Sequence, residues 1–395
     1  KTLFPYTTLF RSDMPLVTND LLSRLLQAHE ASQALVSFVV AHNGDPLLEG
    51  YGRVVQQGDE LEIVEAKDYY ARQLTIEQCC VNAGIYIFQR SFLESQIDTL
   101  TANNAAREFY ITDLIAAASR QGIVEQVQAP FDVIRGVNTL KELWAVEQIK
   151  RSELISHWMD RGIRFHMAQT VHIDVDVTIG AGTYIGCGVH LSAGTSIGKD
   201  CSVRCYSVLS GATIGDFVCV QQHSVITNSV VQAGAQVGPF AHIESNSTVG
   251  AETIIGNFVQ VKRSHIGKKV RAKHLAFLGD AEIAEKVNIG GGTITCNFDG
   301  QVKHTTIIGK SSCVGSNNSL VAPVQLGDES MTAAGSVITQ DVPSFALGIG
   351  RARQINKEGY VLKKKKSVVE VLNSSDEPDE FAAACKAFEE PEVQL

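Results

Sequence analysis

The sequence predicts two joined architectures: part of an α/β domain, then a three-sided parallel β-coil. Three observations carry this. Helical and strand patterns alternate up to about residue 138. A run of helical spacing with few breakers follows, TLKELWAVEQIKRSELISHWMDRG at 139–162. From about 171 an aliphatic residue recurs every six positions, often with glycine after it.

The elements follow in chain order. Residues 1–12, KTLFPYTTLFRS, carry two aromatic-apolar clusters without periodicity and are expected to be a non-native leader. LLSRLLQAH is amphipathic and predicts a helix. ALVSFVVA and NAGIYIF are β-branched and aromatic runs, read as strands. YITDLIAAASRQG predicts a helix that Gly122 closes. Too few strands are present for a full doubly wound sheet, so 13–138 reads as the back half of an α/β domain. The spacing over 139–164 predicts one long linker helix that Gly162 stops.

In the coil, Ile173, Ile179, Ile185, Leu191, Ile197 and Val203 keep the six-step. After a one-residue slip Ile214, Val220 and Ile226 resume it, then Val231, Val237, Ile243, Val249, Ile255 and Val261. Six residues are too few for a helical or propeller repeat. They suit a coil whose sides are short strands, with the aliphatic residue inside and a small residue at the corner. Such a solenoid stacks coil on coil and needs a cap. Its expected span is 165–345, followed by a C-terminal arm at 346–366 and a disordered acidic tail at 367–395.

Composition bounds the function. The chain has 395 residues, enough for about two or three domains. Its net charge of -9 excludes a nucleic-acid footprint for the whole chain. No apolar run is long enough to predict a transmembrane helix, and no secretory pattern opens the chain. The nine cysteines are odd in number and form no CxxC pair, which predicts reduced thiols in a cytoplasmic protein. Cys201 and Cys205 offer a zinc pair only as a minor alternative to core filling.

One histidine stands out: His274, in AKHLAFLGDAEIAEKVNIGGGTITCNFDG, beside small apolar residues and ahead of a glycine-rich turn. Histidine is the side chain whose ordinary pKa suits taking a proton near neutrality. A lone histidine of this kind is more often a satisfied core residue.

The blocks DMPL, GYGR, EAKD, VNAGIYIF, EFYITD, GVN, the hexapeptides, KHLAFLGDAEI, VNIGGGTITCNFDG, the GS at 315–316 and RQINKEG stand in collinear order from about 13 to 360. Together they resemble the GlmU family, bacterial bifunctional N-acetylglucosamine-1-phosphate uridyltransferases and glucosamine-1-phosphate N-acetyltransferases. The resemblance implies a partial Rossmann-like nucleotidyltransferase domain and a left-handed parallel β-helix that assembles as a homotrimer. It implies acetyl transfer from acetyl-CoA to glucosamine 1-phosphate. Coupling to UTP with Mg²⁺ then gives UDP-N-acetylglucosamine for peptidoglycan and lipopolysaccharide.

Residue by residue, the resemblance makes His274 the catalytic base. Asn288 and Asn297 match residues that orient the amine and the histidine, Asn297 on the coenzyme side. Lys262 and Lys303 match lysines that meet the sugar phosphate. Ser316, Ala334 and Arg351 match the groove for the coenzyme arm. Gly52, Glu65, Asn82 and Thr112 match the pocket for the uridine-linked sugar, and Asp13 and Asn138 match Mg²⁺ ligands. Cys296 is expected to be core, with an acyl-cysteine as its rival role.

The chain departs from the pattern in four places. No glycine-rich GTRMxSxxPK-like loop is found, so uridyl transfer by this chain is not expected. Glu244 stands where the family has an arginine, and Phe277 and Phe298 stand where it has tyrosines. A carboxylate in place of a guanidinium turns a phosphate clamp into a repulsion. A β-helix acyltransferase for a different amino sugar and a non-catalytic trimeric paralogue therefore stay open.

Overall fold

The computed structural model describes residues 6–9, 13–42, 50–58, 60–71 and 80–366. The tail at 367–395 and most of the leader lie outside these residues.

The first part is a six-stranded mixed sheet ordered Glu60–Val64, Arg53–Gln57, Cys80–Gln89, Val36–His42 and Val124–Gln128. Tyr6–Leu9 lies antiparallel beside the end of Cys80–Gln89, which places part of the leader on the sheet. Among the described residues of this sheet, only Val36–His42 and Val124–Gln128 run parallel to each other. The central strand Val36–His42 alternates with period two. Val36, Phe38 and Val40 pack with Leu114, Ile115 and Ala118 of the helix Asp113–Gln121. Val39 and Ala41 face Leu21 and Leu25 of the helix Asn19–Ser32. That is why ALVSFVVA reads as an unbroken apolar run: both faces are covered. Ser37, the polar exception, is buried against His29 Nδ1 at 2.8 Å.

Gly122 does follow the helix Asp113–Gln121, but not in a left-handed cap. Its backbone is extended, at φ -178. A Cβ there would stand 2.9 Å from Leu35 Cδ1, so close packing explains the glycine.

The long helix runs Leu140–Met159 and opens on a capping box, in which Glu142 N–H donates to Thr139 Oγ1 and Thr139 N–H to Glu142 Oε2. Its last turns bury Ile155 and Trp158 in the same core as Val171 and Ile173. The helix end therefore covers the open end of the coil, the capping a solenoid requires. Among the described residues no helix is long and apolar enough to cross a membrane.

The coil starts at Arg164–Phe165 and runs to Leu347–Gly348 as parallel strands. One face forms a separate nine-stranded ladder, and the other two join into nineteen strands. Every aliphatic residue of the six-step, Ile173 through Val261, is buried, none above 7% exposed. The corners carry buried hydroxyls that satisfy backbone groups between coils. Thr195 Oγ1 donates to Leu209 O at 3.1 Å and accepts from Ala212 N at 3.3 Å. Ser264 repeats this between Leu278 O and Ala281 N. These rungs are what keep small polar residues inside the coil.

Two features break the repeat. Strands Ile254–Lys262 and Arg271–Gly279 each run nine residues around a corner. A loop between Ile294–Cys296 and Thr306–Ile308 leaves the coil and carries Asn297, Phe298 and Lys303.

Candidate active site

Parallel stacking brings one residue of each coil to the same place on a corner. Asn257 pairs in register with His274. Ala272 pairs with Ile289 and Ile289 with Val314, so two positions further His274 is followed by Gly291 and then Ser316. The pairing of Cys313 with Met331 extends the column to Ala334. Gly335 N–H donates to Ser316 O at 2.8 Å, and Arg351 Cδ lies 3.8 Å from where a Gly335 Cβ would stand. The fold thus gathers His274, Ser316, Ala334 and Arg351 along one edge.

The next residue at each level turns the corner in a left-handed conformation: Phe258, Leu275, Gly292 and Asn317 have φ of 57, 35, 77 and 55. The turn leaves His274 exposed at the lip. A Cβ on Gly291 would stand 3.4 Å from His274 Cβ, so the next coil packs against the base of the His274 side chain.

His274 Nδ1 stands 3.2 Å from Asn257 Oδ1. An amide oxygen only accepts, so this contact takes a proton on Nδ1; in the neutral ring the lone pair then belongs to Nε2. A base needs that tautomer. Asn257 went unnoticed in the sequence. Counting back one coil, 17 residues, from His274 would have found it.

The phosphate-side residues form a second cluster. Lys262 Nζ donates to Glu244 Oε2 at 3.0 Å, and Gln260 Nε2 to Glu244 Oε1 at 2.8 Å. Burial pushes the Glu244 carboxyl up, but these two hydrogen bonds outweigh it and hold it below the usual carboxylate range. One coil on, Arg263 clamps Asp280 with two bonds of 2.7 Å, and Asn297 Nδ2 donates to the same carboxylate. Arg263 is the main reason the Asp280 carboxyl stays low; Asn297 adds to it, and the charge of Lys303 assists. The Phe277 ring and Asn297 both press on Gly279, where a Cβ would overlap the ring. The loop that carries Lys303 is stapled by Asp299, which accepts from Gln301 N, Val302 N and His304 Nε2 at 2.8 Å each.

The structure therefore places Asn297 on Asp280. Asn288 pairs in register with Arg271, three residues before His274, and its Nδ2 meets Cys313 Sγ at 3.8 Å. Cys296 is half-buried rather than core, because strand alternation turns Thr295 inward instead. Cys201 Sγ donates to Gly215 O at 3.1 Å inside the coil, so it fills core and does not pair with Cys205.

In the sheet half, Gly52, Glu65, Asn82 and Thr112 line one cavity of about 340 Å³. Thr112 Oγ1 donates to Glu65 Oε1 at 2.9 Å, and Asn82 Nδ2 to the Tyr86 hydroxyl at 2.6 Å. A larger cavity of about 770 Å³ shares Glu65 and Tyr51 with it and reaches Asn138 and Glu142. Asp13 Oδ2 and Asn138 Nδ2 both come within 3.9 Å of the Cβ position at Gly136. The chemistry of the pair suits Mg²⁺: the Asp13 carboxylate and the Asn138 side-chain oxygen would be its ligands, and the ion takes few protein ligands and keeps waters or phosphates.

Among curated proteins, the bifunctional protein GlmU of Koribacter versatilis is 40% identical over 364 residues, 89% of this chain and 76% of that protein. The chain belongs to the GlmU family. GlmU of an Exiguobacterium species is 41% identical over 352 residues, 88% of this chain and 77% of that protein. No protein-family model matches the chain. Among solved structures, a Francisella novicida UDP-N-acetylglucosamine acyltransferase covers 54% of this chain and 81% of its own, at 17% identity and a TM-score of 0.29. The two GlmU matches span both the sheet and the coil, so the two candidate sites sit in one family framework.

Proposed function

We propose that the coil corner of this GlmU-family chain transfers an acetyl group from acetyl-CoA to the amine of glucosamine 1-phosphate, on the route to UDP-N-acetylglucosamine for cell-wall precursors. The contact between His274 Nδ1 and Asn257 Oδ1 carries the reading. It supports the Nδ1–H tautomer of the ring on an exposed lip.

An amine at neutral pH is mostly ammonium and cannot attack a thioester. One ammonium proton leaves to solvent; His274 Nε2 takes a second proton from the nitrogen as it forms its bond to the acetyl carbon, and the carbon–sulfur bond breaks. The proton passes to the departing thiolate. Ser316, Ala334 and Arg351 lie along the same edge and suit the coenzyme arm, with the Arg351 guanidinium available for phosphate. Lys262 and Lys303 face the sugar phosphate.

The sheet half holds the UDP-sugar through Gly52, Glu65, Asn82 and Thr112. Asp13 and Asn138 would hold Mg²⁺, which when bound neutralises phosphate charge.

A homotrimer in the cytoplasm completes the reading. Tyr206, His223, Phe240 and Phe258 stack ring on ring along one corner at 5.0–5.3 Å, yet Phe240 and Phe258 are 48% and 57% exposed. An apolar stripe of this length suits cover by a second copy.

The ion pair between Glu244 and Lys262 favours a second reading, in which the acceptor is an amino sugar without that phosphate. Thiol release from acetyl-CoA, measured against a panel of amino sugars with and without a 1-phosphate, tests both. Release that depends on glucosamine 1-phosphate supports the first, release with unphosphorylated acceptors the second, and none with any acceptor contradicts both.

A further inference from the structure

The corner that carries His274 holds a different set of side chains at its other end. Ile185 pairs with Val203, which places Cys187 beside Cys205 two positions later. Phe165 pairs with Ile185, so His166 sits opposite Gly186, one residue short of Cys187. Three successive coils thus each bring one metal-ligating side chain to one spot. A ring nitrogen of His166 and the two sulfurs all lie within 4.8 Å of one another. Among the described residues no other group of three or more such side chains converges in this way.

The surroundings are built closely. Cys187 is buried, Cys205 is half-buried, and both are free thiols. A Cβ on Gly186 would stand 2.6 Å from Cys205 N, so glycine lets the two coils approach there. A Cβ on Gly188 would strike the Tyr206 ring at 2.5 Å, so that ring covers the far side. The Cys205 thiol pushes the Cys187 pKa up and the Tyr206 hydroxyl pulls it down, so both groups act on the Cys187 sulfur. A hydroxyl on a ligand sulfur is the kind of outer contact that orients metal ligands.

We propose that His166, Cys187 and Cys205 bind one thiophilic divalent ion of the zinc class, which clamps the first three coils together. Zinc bonds of about 2.0–2.3 Å in a tetrahedron set ligand atoms about 3.5–3.8 Å apart, a small inward rotation from the present spacing. Two thiolates with an imidazole select such an ion over Mg²⁺. On binding, both thiol protons leave to solvent, two metal–sulfur bonds and one metal–nitrogen bond form, and water takes the fourth position. The site is separate from the acetyl-transfer corner: Gln222, Pro239 and Asn257 stand between Cys205 and His274 in the column.

The test uses the full chain, reduced and stripped with a chelator, then titrated with Co²⁺. The expected result is one equivalent bound with thiolate-to-cobalt absorption, displaced by Zn²⁺. Cys187→Ser and Cys205→Ser each lower affinity by about 100-fold or more, beyond what outer-shell partners cost. His166→Ala weakens binding with the thiolate absorption retained, and Cys201→Ala leaves binding unchanged. Circular dichroism of each variant separates lost binding from lost folding. A reduced parent chain without thiolate–cobalt absorption overturns the proposal. So does absorption that survives both serine variants, or a Cys187–Cys205 disulfide recovered under reducing conditions.

Discussion

Lys262 Nζ donates to Glu244 Oε2 at 3.0 Å, across two adjacent coils whose register pairs these residues directly. The lysine expected to meet the sugar phosphate already holds an anion, and a phosphate entering there must displace or repel it. Glu244→Arg removes that competitor and adds a second cation. It is expected to lower the KM for glucosamine 1-phosphate by about tenfold or more, from the roughly 1.5–3 kcal/mol of a charged hydrogen bond. An unchanged or higher KM assigns the pocket to an acceptor without that phosphate.

Asn257 acts on the reaction through His274. Asn257→Ala removes one neutral hydrogen bond, so kcat is expected to fall about 2–10-fold while the KM for acetyl-CoA holds, from roughly 0.5–1.5 kcal/mol. Asn257→Asp places a carboxylate on the ring and favours the imidazolium. The acidic limb of the pH–rate profile should then move to higher pH. A profile unmoved by the aspartate separates Asn257 from the base.

Glu285 gives a pH signature to the coil itself. Its carboxylate accepts from Lys310 at 2.7 Å and Lys268 at 3.0 Å, and these two bonds, Lys310 first, hold its pKa down from 4.5 to about 2. A depressed carboxylate stabilises the fold above its unfolded pKa and loses that effect as pH falls through the folded one. The Tm gap between the parent chain and Glu285→Gln is therefore expected to be full above pH 4.5 and to narrow from there toward about 2. Salt should shrink it too, since Lys310 and Lys268 are more than half exposed. A gap that stays constant with pH contradicts the pairing.

Assembly is checked by light scattering. A trimer is expected at micromolar concentration, and changing Phe240 and Phe258 together to glutamate should give monomer. A monomeric parent chain contradicts the trimer, and a trimeric double variant moves the interface off this stripe.

Most of the coil was legible in the sequence because one physical rule repeats: an aliphatic residue inside, a small residue at the corner. The aliphatic residues from Ile173 through Val261 are all buried, as the rule requires. Ser264 and Thr195 were not legible, because a buried hydroxyl between two coils looks in sequence like any exposed corner residue. The helix Leu140–Met159 was readable from its spacing, but its role as the coil's cap depends on Trp158 meeting residues that come later in the chain. Gly122 was placed at the right helix end for the wrong reason, since the Leu35 contact lies 87 residues away. At the site, His274, Ser316 and Ala334 came from motif resemblance. Asn257, Arg263 and Asp280 did not, because they act through neighbours one coil apart and no local motif marks them. The partners of Asn297 and Lys262 were hidden for the same reason.

The central claim is that His274 takes the proton from the attacking amine. Single-turnover thiol release from acetyl-CoA with glucosamine 1-phosphate, comparing the parent chain with His274→Ala at matched acetyl-CoA occupancy, tests it most directly. The expected result is a rate reduced by about 10²–10⁴ with acetyl-CoA affinity nearly intact and the fold retained, since the ring is an exposed lip residue. An unchanged rate in the variant would contradict it.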